Sequence, residues 1–304
     1  MTVITDIPRR TLLAGVAAGV AALIAAGTPR LAAAQAPVAT GPRTATLDWA
    51  ILETLLSLGS NVVAGPELLQ FREVAVTPAL PQGIADLGLR GTPNLEILRY
   101  AEPDIIFNSN FYSWADQQMQ AIAPVESHAI YRQGDAPFEL AAKVTLEIGE
   151  RLGVSHAAGI VDAARAKIEA SRRIFADGDG RPVLLINLGD PRHYRVFGAD
   201  SMFGNVLNAC GLTNAWTSAT SYSAQATVGL ETLASVPDAW IILIPPVPVD
   251  ALPVLSGSAF WNALPAVREN RVIRIEPVNP YGGLPAATRF ADQLVEGFAR
   301  ARNG

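Results

Sequence analysis

The sequence is poor in the residues that form metal sites and disulfides. It has 304 residues but only one cysteine, Cys210, and three histidines. An intramolecular disulfide is therefore excluded, and the apolar neighbours of Cys210 predict a buried, inert thiol. His128, His156 and His193 lie far apart and match no HExxH or His/Cys metal spacing. We therefore expect no metal site built from protein ligands.

Other chemical signatures are missing as well. The chain contains no GxSxG nucleophile elbow and no phosphate-binding P-loop. Its formal net charge is −5 and it has no basic stripe, which argues against a nucleic-acid partner. No motif indicates an enzyme. Distant residues could still converge in the fold, so a secreted α/β hydrolase stays open as an alternative.

The first 36 residues have the pattern of an export signal. Arg9 and Arg10 precede an apolar stretch at 14–26, and small residues at Ala34–Ala36 suit cleavage. Adjacent arginines before a mild apolar region predict the twin-arginine route to the periplasm. A membrane anchor is the alternative, but the apolar stretch is shorter than the ~20 residues that a spanning helix needs. We expect residues 1–36 to be removed on export.

Helices and short strands alternate through the rest of the chain, which is typical of an α/β fold. Apolar runs predict buried strands at 104–107 and 183–188, whereas residues 60–85, which contain three prolines, are expected to be rich in loops. Asp48 precedes an apolar run and is predicted to cap a helix. Apolar residues at three- and four-residue spacing predict a long helix at Val154–Phe175.

One helix–strand pattern occurs twice. The sequence Leu-Glu-x-Leu, at 95–98 and again at 230–233, is followed by Pro-Asp and an apolar strand. The copies lie 135 residues apart, too far for a short-period solenoid, and predict two similar α/β lobes. Chance similarity is the alternative. We expect an N-terminal lobe at 37–152, a connecting helix at 153–176 and a C-terminal lobe at 177–304.

Arginine and aromatic residues stand in several of the predicted loops. Arg90 and Tyr112 flank one helix–strand unit, Tyr281 lies in a turn-rich loop, and Trp49 follows the first strand. A guanidinium group can donate two parallel hydrogen bonds to a pair of oxygen atoms. Tyr and Trp combine an apolar face with a polar tip. Together these side chains suit a ligand that is partly apolar and rich in oxygen.

Four segments resemble one known family. They are ATLDWAILETLLSLG, ADLGLRGTPNLEIL, DPRHYRVFG followed by MFGNVLNACGLTNAW, and FWNALPAVRENRV. Over nearly all of its mature length the chain resembles the periplasmic ferric-hydroxamate (ferrichrome-type) siderophore-binding proteins of ABC iron importers. The resemblance implies a class III α/β fold: two lobes joined by a single long helix, with a shallow ligand cleft between them. It also implies a binding protein and not an enzyme.

The resemblance implies roles for individual residues. The ligand-binding arginine of the family falls on Arg90, and its hydrogen-bonding tyrosine falls on Tyr112. A second pocket tyrosine falls on Tyr281, and the tryptophan after the first strand falls on Trp49. These four positions match the family in residue type.

Three expected pocket tryptophans are replaced. They fall on Val74, on Ser223 beside Tyr222, and on Asn279. We count Tyr222, Ser223 and Asn279 among the expected ligand contacts. The loss of this aromatic wall bears on the identity of the siderophore, and we expect a related hydroxamate that is smaller or more polar than ferrichrome.

The same resemblance implies a ligand and a partner. The ligand is an Fe(III)–siderophore complex, with no covalent cofactor, and a monomer is expected. An inner-membrane ABC permease would meet one acidic residue on each lobe. Glu231 matches on the second lobe, whereas the first-lobe position falls on Gln117, next to Asp116. Alternatively, these acids only interact with the dipole at the N-terminus of their helices. Another chelate (a catecholate siderophore, haem or cobalamin) is the alternative ligand.

Overall fold

Two five-stranded β-sheets organise the protein in a computed structural model, which describes residues 41–218, 220 and 226–303. The predicted export signal, Tyr222 and Ser223 lie outside the described residues. In the part of the chain that is described, no helix is long and apolar enough to cross a membrane. The mixed α/β class predicted from the sequence is confirmed.

The first sheet is parallel throughout. Its strands are β1 (Arg43–Ala45), β2 (Asn61–Gly65), β3 (Ala85–Asp86), β4 (Ile105–Ser109) and β5 (Val125–His128). The helices between them are α1 (Trp49–Ser57), α2 (Leu68–Val74), α3 (Leu95–Tyr100), a 3-10 helix (Asn110–Ala115) and α4 (Asp116–Gln120). The strand order is β3-β2-β1-β4-β5. All five carboxyl ends therefore lie at one edge, and the chain reverses direction across the sheet between β1 and β4, where parallel sheets form ligand crevices.

Two helices lead from the first sheet to the second. They are α5 (Pro137–Arg151) and α6 (Ala157–Phe175). The predicted long helix ends at Phe175 as expected but begins at Ala157 instead of Val154. The difference arises because the backbone N–H of Val154 still bonds to the carbonyl of Gly149 and closes the preceding helix.

The second sheet is mixed. Its strands are β6 (Val183–Leu188), β7 (His193–Val196), β8 (Ala226–Gly229), β9 (Trp240–Leu243) and β10 (Val272–Arg274). Its helices are α7 (Met202–Ala209), a 3-10 helix (Leu230–Ser235), α8 (Ala251–Ser256), α9 (Ala259–Ala263), α10 (Pro265–Arg268) and α11 (Leu284–Asn303). In the order β10-β9-β6-β7-β8, the first three strands are parallel, and β7 is antiparallel to both its neighbours.

The largest apolar core draws on both halves of the chain. Trp49 and Leu52 of α1, Phe203 of α7 and Phe290 of α11 belong to it. The rings of Phe203 and Phe290 stack with their centres 4.4 Å apart. The C-terminal helix α11 packs against α1, α6 and α7, and so touches elements on both sides of the connection. The two sheets therefore share one core, and the predicted lobe boundaries stay a prediction.

The segment 60–85, which was predicted to be rich in loops, contains more regular structure than expected. This segment contains β2, α2 and β3. The prolines lie outside these elements, so they limit the length of each element without preventing it. Each element is also short, from two to seven residues, and offers little periodicity to detect.

Candidate functional site

The five parallel strands of the first sheet end at one cavity of about 450 Å³, here called the main cavity. Every strand contributes to it through the loop at its carboxyl end. The lining residues are Asp48 and Trp49 after β1, Glu67 after β2, Arg90 and Gly91 after β3, Phe111 and Tyr112 after β4, and Tyr131 after β5. Tyr281, which follows β10, closes the cavity from the second sheet. The structure thus brings together Arg90, Tyr112, Tyr281 and Trp49, as the sequence predicted.

Arg90 is held in place from two sides. Its guanidinium carbon lies 4.1 Å from the centre of the Trp49 ring, a cation–π stack. Its Nε donates to Glu67 Oε2 at 2.9 Å, and its backbone N–H donates to Glu67 Oε1 at 3.0 Å. Trp49 is fixed in turn, because its Nε1 donates to the Pro66 carbonyl at 3.0 Å. Glu67 uses only one edge of the guanidinium fork, and the two terminal nitrogens carry its other four N–H groups.

Glu67 is a residue of the main cavity that the sequence did not indicate. Its backbone is left-handed, with φ of 49°, a conformation that is unfavourable for residues other than glycine. Its backbone N–H donates to the Gly88 carbonyl at 3.0 Å, which ties it to the loop carrying Arg90. Strain of this kind persists where the surroundings over-determine it, often at binding sites. Here the left-handed backbone places the Glu67 carboxylate against Arg90.

Tyr112 and Tyr131 stay protonated at neutral pH. Burial raises the pKa of Tyr112 to about 12, and the nearby Asp48 charge adds to this effect while Arg90 opposes it. Burial also raises the pKa of Tyr131 well above its ordinary value. The Tyr131 hydroxyl donates to the Gly282 carbonyl at 2.8 Å, and its ring lies edge-on to Tyr281, 6.5 Å between centres. Both groups are therefore phenols and not phenolates: the Tyr112 hydroxyl can donate to a ligand, whereas the Tyr131 hydroxyl already donates to Gly282.

Asp48 forms the floor between Trp49 and Tyr112. As predicted, it caps α1: Oδ1 accepts from the backbone N–H groups of Ala50 at 2.7 Å and Ile51 at 3.1 Å. Its Oδ2 accepts from the Ser109 hydroxyl at 2.6 Å. Burial raises the pKa of Asp48, and these hydrogen bonds oppose the rise.

Asn279 differs from its predicted role as a ligand contact. It is fully buried and lies behind Tyr281 instead of lining the cavity. Its Oδ1 accepts from the Tyr281 backbone N–H at 3.0 Å, and its Nδ2 donates to Glu53 Oε1 at 2.7 Å. The amide is small enough to turn inward and satisfy a buried acid, which the expected tryptophan could not do. Asn279 therefore supports Tyr281 from behind.

Glu53 of α1 is the centre of that support. Its Oε2 accepts from the backbone N–H groups of Gly283 at 2.9 Å and Ala286 at 3.2 Å, at the start of α11. Burial raises the pKa of Glu53 to about 8, while the bonds from Asn279, Gly283 and Ala286 act in the opposite direction. Glu53 thus ties the first sheet's helix to the loop that carries Tyr281.

The side chains of the main cavity suit contact with the outer surface of a ligand. Among residues 41–218, 220 and 226–303, no three or more His, Cys, Asp or Glu side chains form a group that could hold a metal ion. The main cavity instead offers a guanidinium donor, tyrosine hydroxyls and aromatic faces. Such a wall can bind the outside of a compact, oxygen-rich ligand.

Comparison with known proteins agrees with this geometry. A family model described as periplasmic binding protein matches residues 45–278. The iron(3+)-hydroxamate-binding protein FhuD of Escherichia coli is 30% identical over 253 residues, which are 83% of this chain and 85% of the relative.

Solved structures of similar fold include siderophore-binding proteins. The Fe3+–Desferal-bound FhuD of Vibrio cholerae has a TM-score of 0.80 and 24% identity, covering 86% of this chain and 99% of that one. FhuD2 of Staphylococcus aureus with bound ferrioxamine B has a TM-score of 0.68 and 18% identity, with coverage of 86% and 99%. The family match spans well over half of the sequence: the chain belongs to the periplasmic binding protein family.

Proposed function

We propose that this protein captures a ferric hydroxamate siderophore in the periplasm and delivers it to an ABC importer for iron uptake. The observation that carries the proposal is Arg90, stacked on Trp49 and paired with Glu67, facing a cavity closed by Tyr112 and Tyr281. The similarity to the hydroxamate-binding protein of Escherichia coli supports the same ligand class.

The proposed ligand explains why the site needs no metal-binding side chains. A siderophore supplies all the oxygen ligands to Fe(III), so the iron is cargo and the protein contacts only the outside of the complex. Arg90 would donate from its terminal nitrogens to the hydroxamate oxygens. Tyr112 would add a hydroxyl donor, because its pKa of about 12 keeps it protonated.

The charges in the main cavity favour a hydroxamate over a strongly anionic chelate. Three hydroxamates balance the charge of Fe(III), so that complex is neutral at its centre. Arg90 is already paired with Glu67, and Asp48 lies in the same wall. A ferric catecholate centre, with its several negative charges, would meet two carboxylates and a guanidinium whose charge is already matched.

The direct test is a fluorescence titration of the mature protein with ferrichrome, ferrioxamine B, a ferric catecholate and haem. Trp49 lies in the cavity wall and reports on occupancy. We expect saturable quenching by the hydroxamates. Arg90→Ala should weaken their binding by at least ~1.5 kcal/mol, or about tenfold.

The matched control is Arg99→Ala, which removes an exposed arginine from α3 outside the cavity. It should leave affinity unchanged. Unchanged affinity in Arg90→Ala would refute the site, and saturation only by haem or the catecholate would refute the ligand class.

We propose that acidic residues on both halves meet the permease. Glu231 is exposed in the first turn of its 3-10 helix. Asp116, the predicted partner on the first lobe, is half-buried, and its two oxygens accept from Asn108 Nδ2 at 2.6 Å and Ser127 Oγ at 3.2 Å. Glu96 is exposed in the first turn of α3 and occupies the repeat position equivalent to Glu231, so we favour it over Asp116.

Charge reversals distinguish these docking residues. Glu231→Lys and Glu96→Lys should each retain siderophore binding but reduce iron uptake by cells, because they would repel permease arginines. Glu150→Lys reverses an exposed acid on α5 and serves as the control. A larger uptake defect in Asp116→Lys than in Glu96→Lys would restore the original assignment, and normal uptake in Glu231→Lys would refute the docking role.

We further propose that residues 1–36 direct export by the twin-arginine route and that the mature protein is a monomer. The paired Arg9 and Arg10 support the first point. Replacing both with lysine should retain the precursor in the cytoplasm, as measured by cell fractionation. Light scattering of the mature protein should give the mass of one chain, and a dimer mass would contradict the second point.

A further inference from the structure

A smaller cavity adjoins the main cavity on the side of the second sheet. It has a volume of about 210 Å³ and is here called the side cavity. It shares Trp49, Arg90 and Tyr281 with the main cavity, so one ligand could occupy both. The second sheet adds Asn187 from β6 and Arg195 from β7.

The two cavities differ in charge. The main cavity contains Asp48 and Glu67 beside Arg90, whereas the described residues that line the side cavity include two arginines and no carboxylate. Arg195 has no acidic partner within 4.0 Å among the residues that the structure describes. Residues 219 and 221–225, which precede β8 in the sequence, include no Asp or Glu. In a chain of net charge −5, the side cavity therefore keeps an unmatched positive charge.

The strand geometry explains why Arg195 lies in this cavity. Tyr194 and Val196 are buried on one face of β7, which leaves the opposite face to His193 and Arg195. Arg195 pairs in register with Asn187 of β6. Rigid strands, and not a mobile loop, therefore place Arg195 at the mouth of the cleft.

Asn187 gives the side cavity a fixed polar wall. Its Nδ2 donates to the carbonyls of Ile244 and Pro246, both at 2.8 Å, and the residue is 7% exposed. These two bonds hold the loop after β9 against the end of β6. The backbone opposite Arg90 is thus fixed before any ligand binds.

We propose that Arg195 forms an anion subsite that selects ferric hydroxamates carrying a free carboxylate on a peripheral arm. The inference rests on the proposed function and refines it. The neutral iron–hydroxamate centre lies against Arg90 and its partner Glu67, and the arm extends past Trp49 and Tyr281 into the side cavity. There the guanidinium of Arg195 donates two parallel hydrogen bonds to the carboxylate.

Three probes with the same iron centre test this subsite. They are ferrioxamine B, which ends in an ammonium group, its N-acetyl derivative, which is neutral, and its N-succinyl derivative, which ends in a carboxylate. Affinities are measured by tryptophan fluorescence for wild type, Arg195→Gln and Arg192→Gln. Arg192 is an exposed arginine in the bend just before β7 and outside both cavities, so its loss removes an equal charge.

We expect wild type to bind the succinyl probe about three- to tenfold more tightly than the acetyl probe. Arg195→Gln should abolish that preference while its affinity for the acetyl probe stays within about twofold of wild type. Arg192→Gln should keep the preference. Raising the ionic strength from about 0.01 M to about 1 M shortens the Debye length from about 30 Å to about 3 Å and should shrink the preference in wild type.

The outcomes separate this inference from the proposed function. Equal binding of the acetyl and succinyl probes by wild type would overturn the subsite and leave the siderophore-binding function standing. Equal weakening of all three probes by Arg195→Gln would make Arg195 a general contact and would also overturn it. Failure of all three probes to bind wild type would overturn the proposed function and the subsite with it.

Discussion

Replacing Glu53 with glutamine should remove a large part of the pH dependence of the protein's stability. Glu53 is fully buried, and burial raises its pKa from 4.5 to about 8. The folded chain therefore holds this proton more tightly than the unfolded chain does. The stability that Glu53 contributes is complete below pH 4.5 and is lost as the pH rises through about 8.

The size of the effect follows from this window. Between the two pKa values, each pH unit changes the free energy of unfolding by about 1.4 kcal/mol. Raising the pH by about two units inside the window should therefore cost wild type about 2.7 kcal/mol. For a chain of this length, 1 kcal/mol shifts Tm by about 2–4 °C, so a fall of about 5–11 °C is expected.

The assay is thermal unfolding of wild type and Glu53→Gln across this window, compared as a difference at each pH. The difference isolates Glu53, because Asp48, whose pKa is also raised, titrates in both proteins. Glu53→Gln should be less stable at low pH, since its single amide oxygen cannot accept both from Asn279 on one side and from Gly283 and Ala286 on the other. The control is Glu296→Gln, an exposed acid on α11. A difference that is flat, or that grows with pH in favour of wild type, would refute the reasoning.

Two further predictions test the ligand wall and the core. Glu67→Gly should retain or raise Tm, because glycine tolerates the left-handed backbone at φ 49°. The same substitution should weaken ferrioxamine B binding about tenfold, because it removes the ion pair that holds Arg90. Unchanged affinity would contradict the role of Glu67. Cys210 is fully buried, and burial raises its pKa to about 12. A thiol reagent at neutral pH should therefore label Cys210 only in denaturant. Rapid labelling of the folded protein would contradict its burial.

Local signals in the sequence predicted the elements that depend on few residues. Asp48 marked the start of α1, because its carboxylate accepts the free N–H groups of the first turn. The apolar run at Val183–Leu188 predicted β6 with the correct ends, since a strand buried on both faces needs no alternation. These two features depend on a few adjacent residues, and the structure confirms them.

The parts of the site that sequence reasoning missed depend on distant contacts. Glu67 has no local signature, because its left-handed backbone is stabilised by bonds to Gly88 and Arg90, more than twenty residues away. Arg195 has no local signature of a ligand contact, because only the way in which the two sheets meet brings it to the same cavity as Arg90. Asn279 was predicted to contact the ligand, because the sequence does not show that its side chain bonds to the buried Glu53.

The shared core implies that the cleft is largely formed before the ligand arrives. Glu53 binds the loop carrying Tyr281 to α1, and α1 begins at Trp49, on which Arg90 stacks. The distance between the arginine and Tyr281 is therefore set by folding, and little ordering is left to oppose binding. In such a cleft, differences in ligand preference must come from the side chains that line it and not from the extent of closure. The unmatched charge of Arg195 is for that reason the feature most able to distinguish one ferric hydroxamate from another.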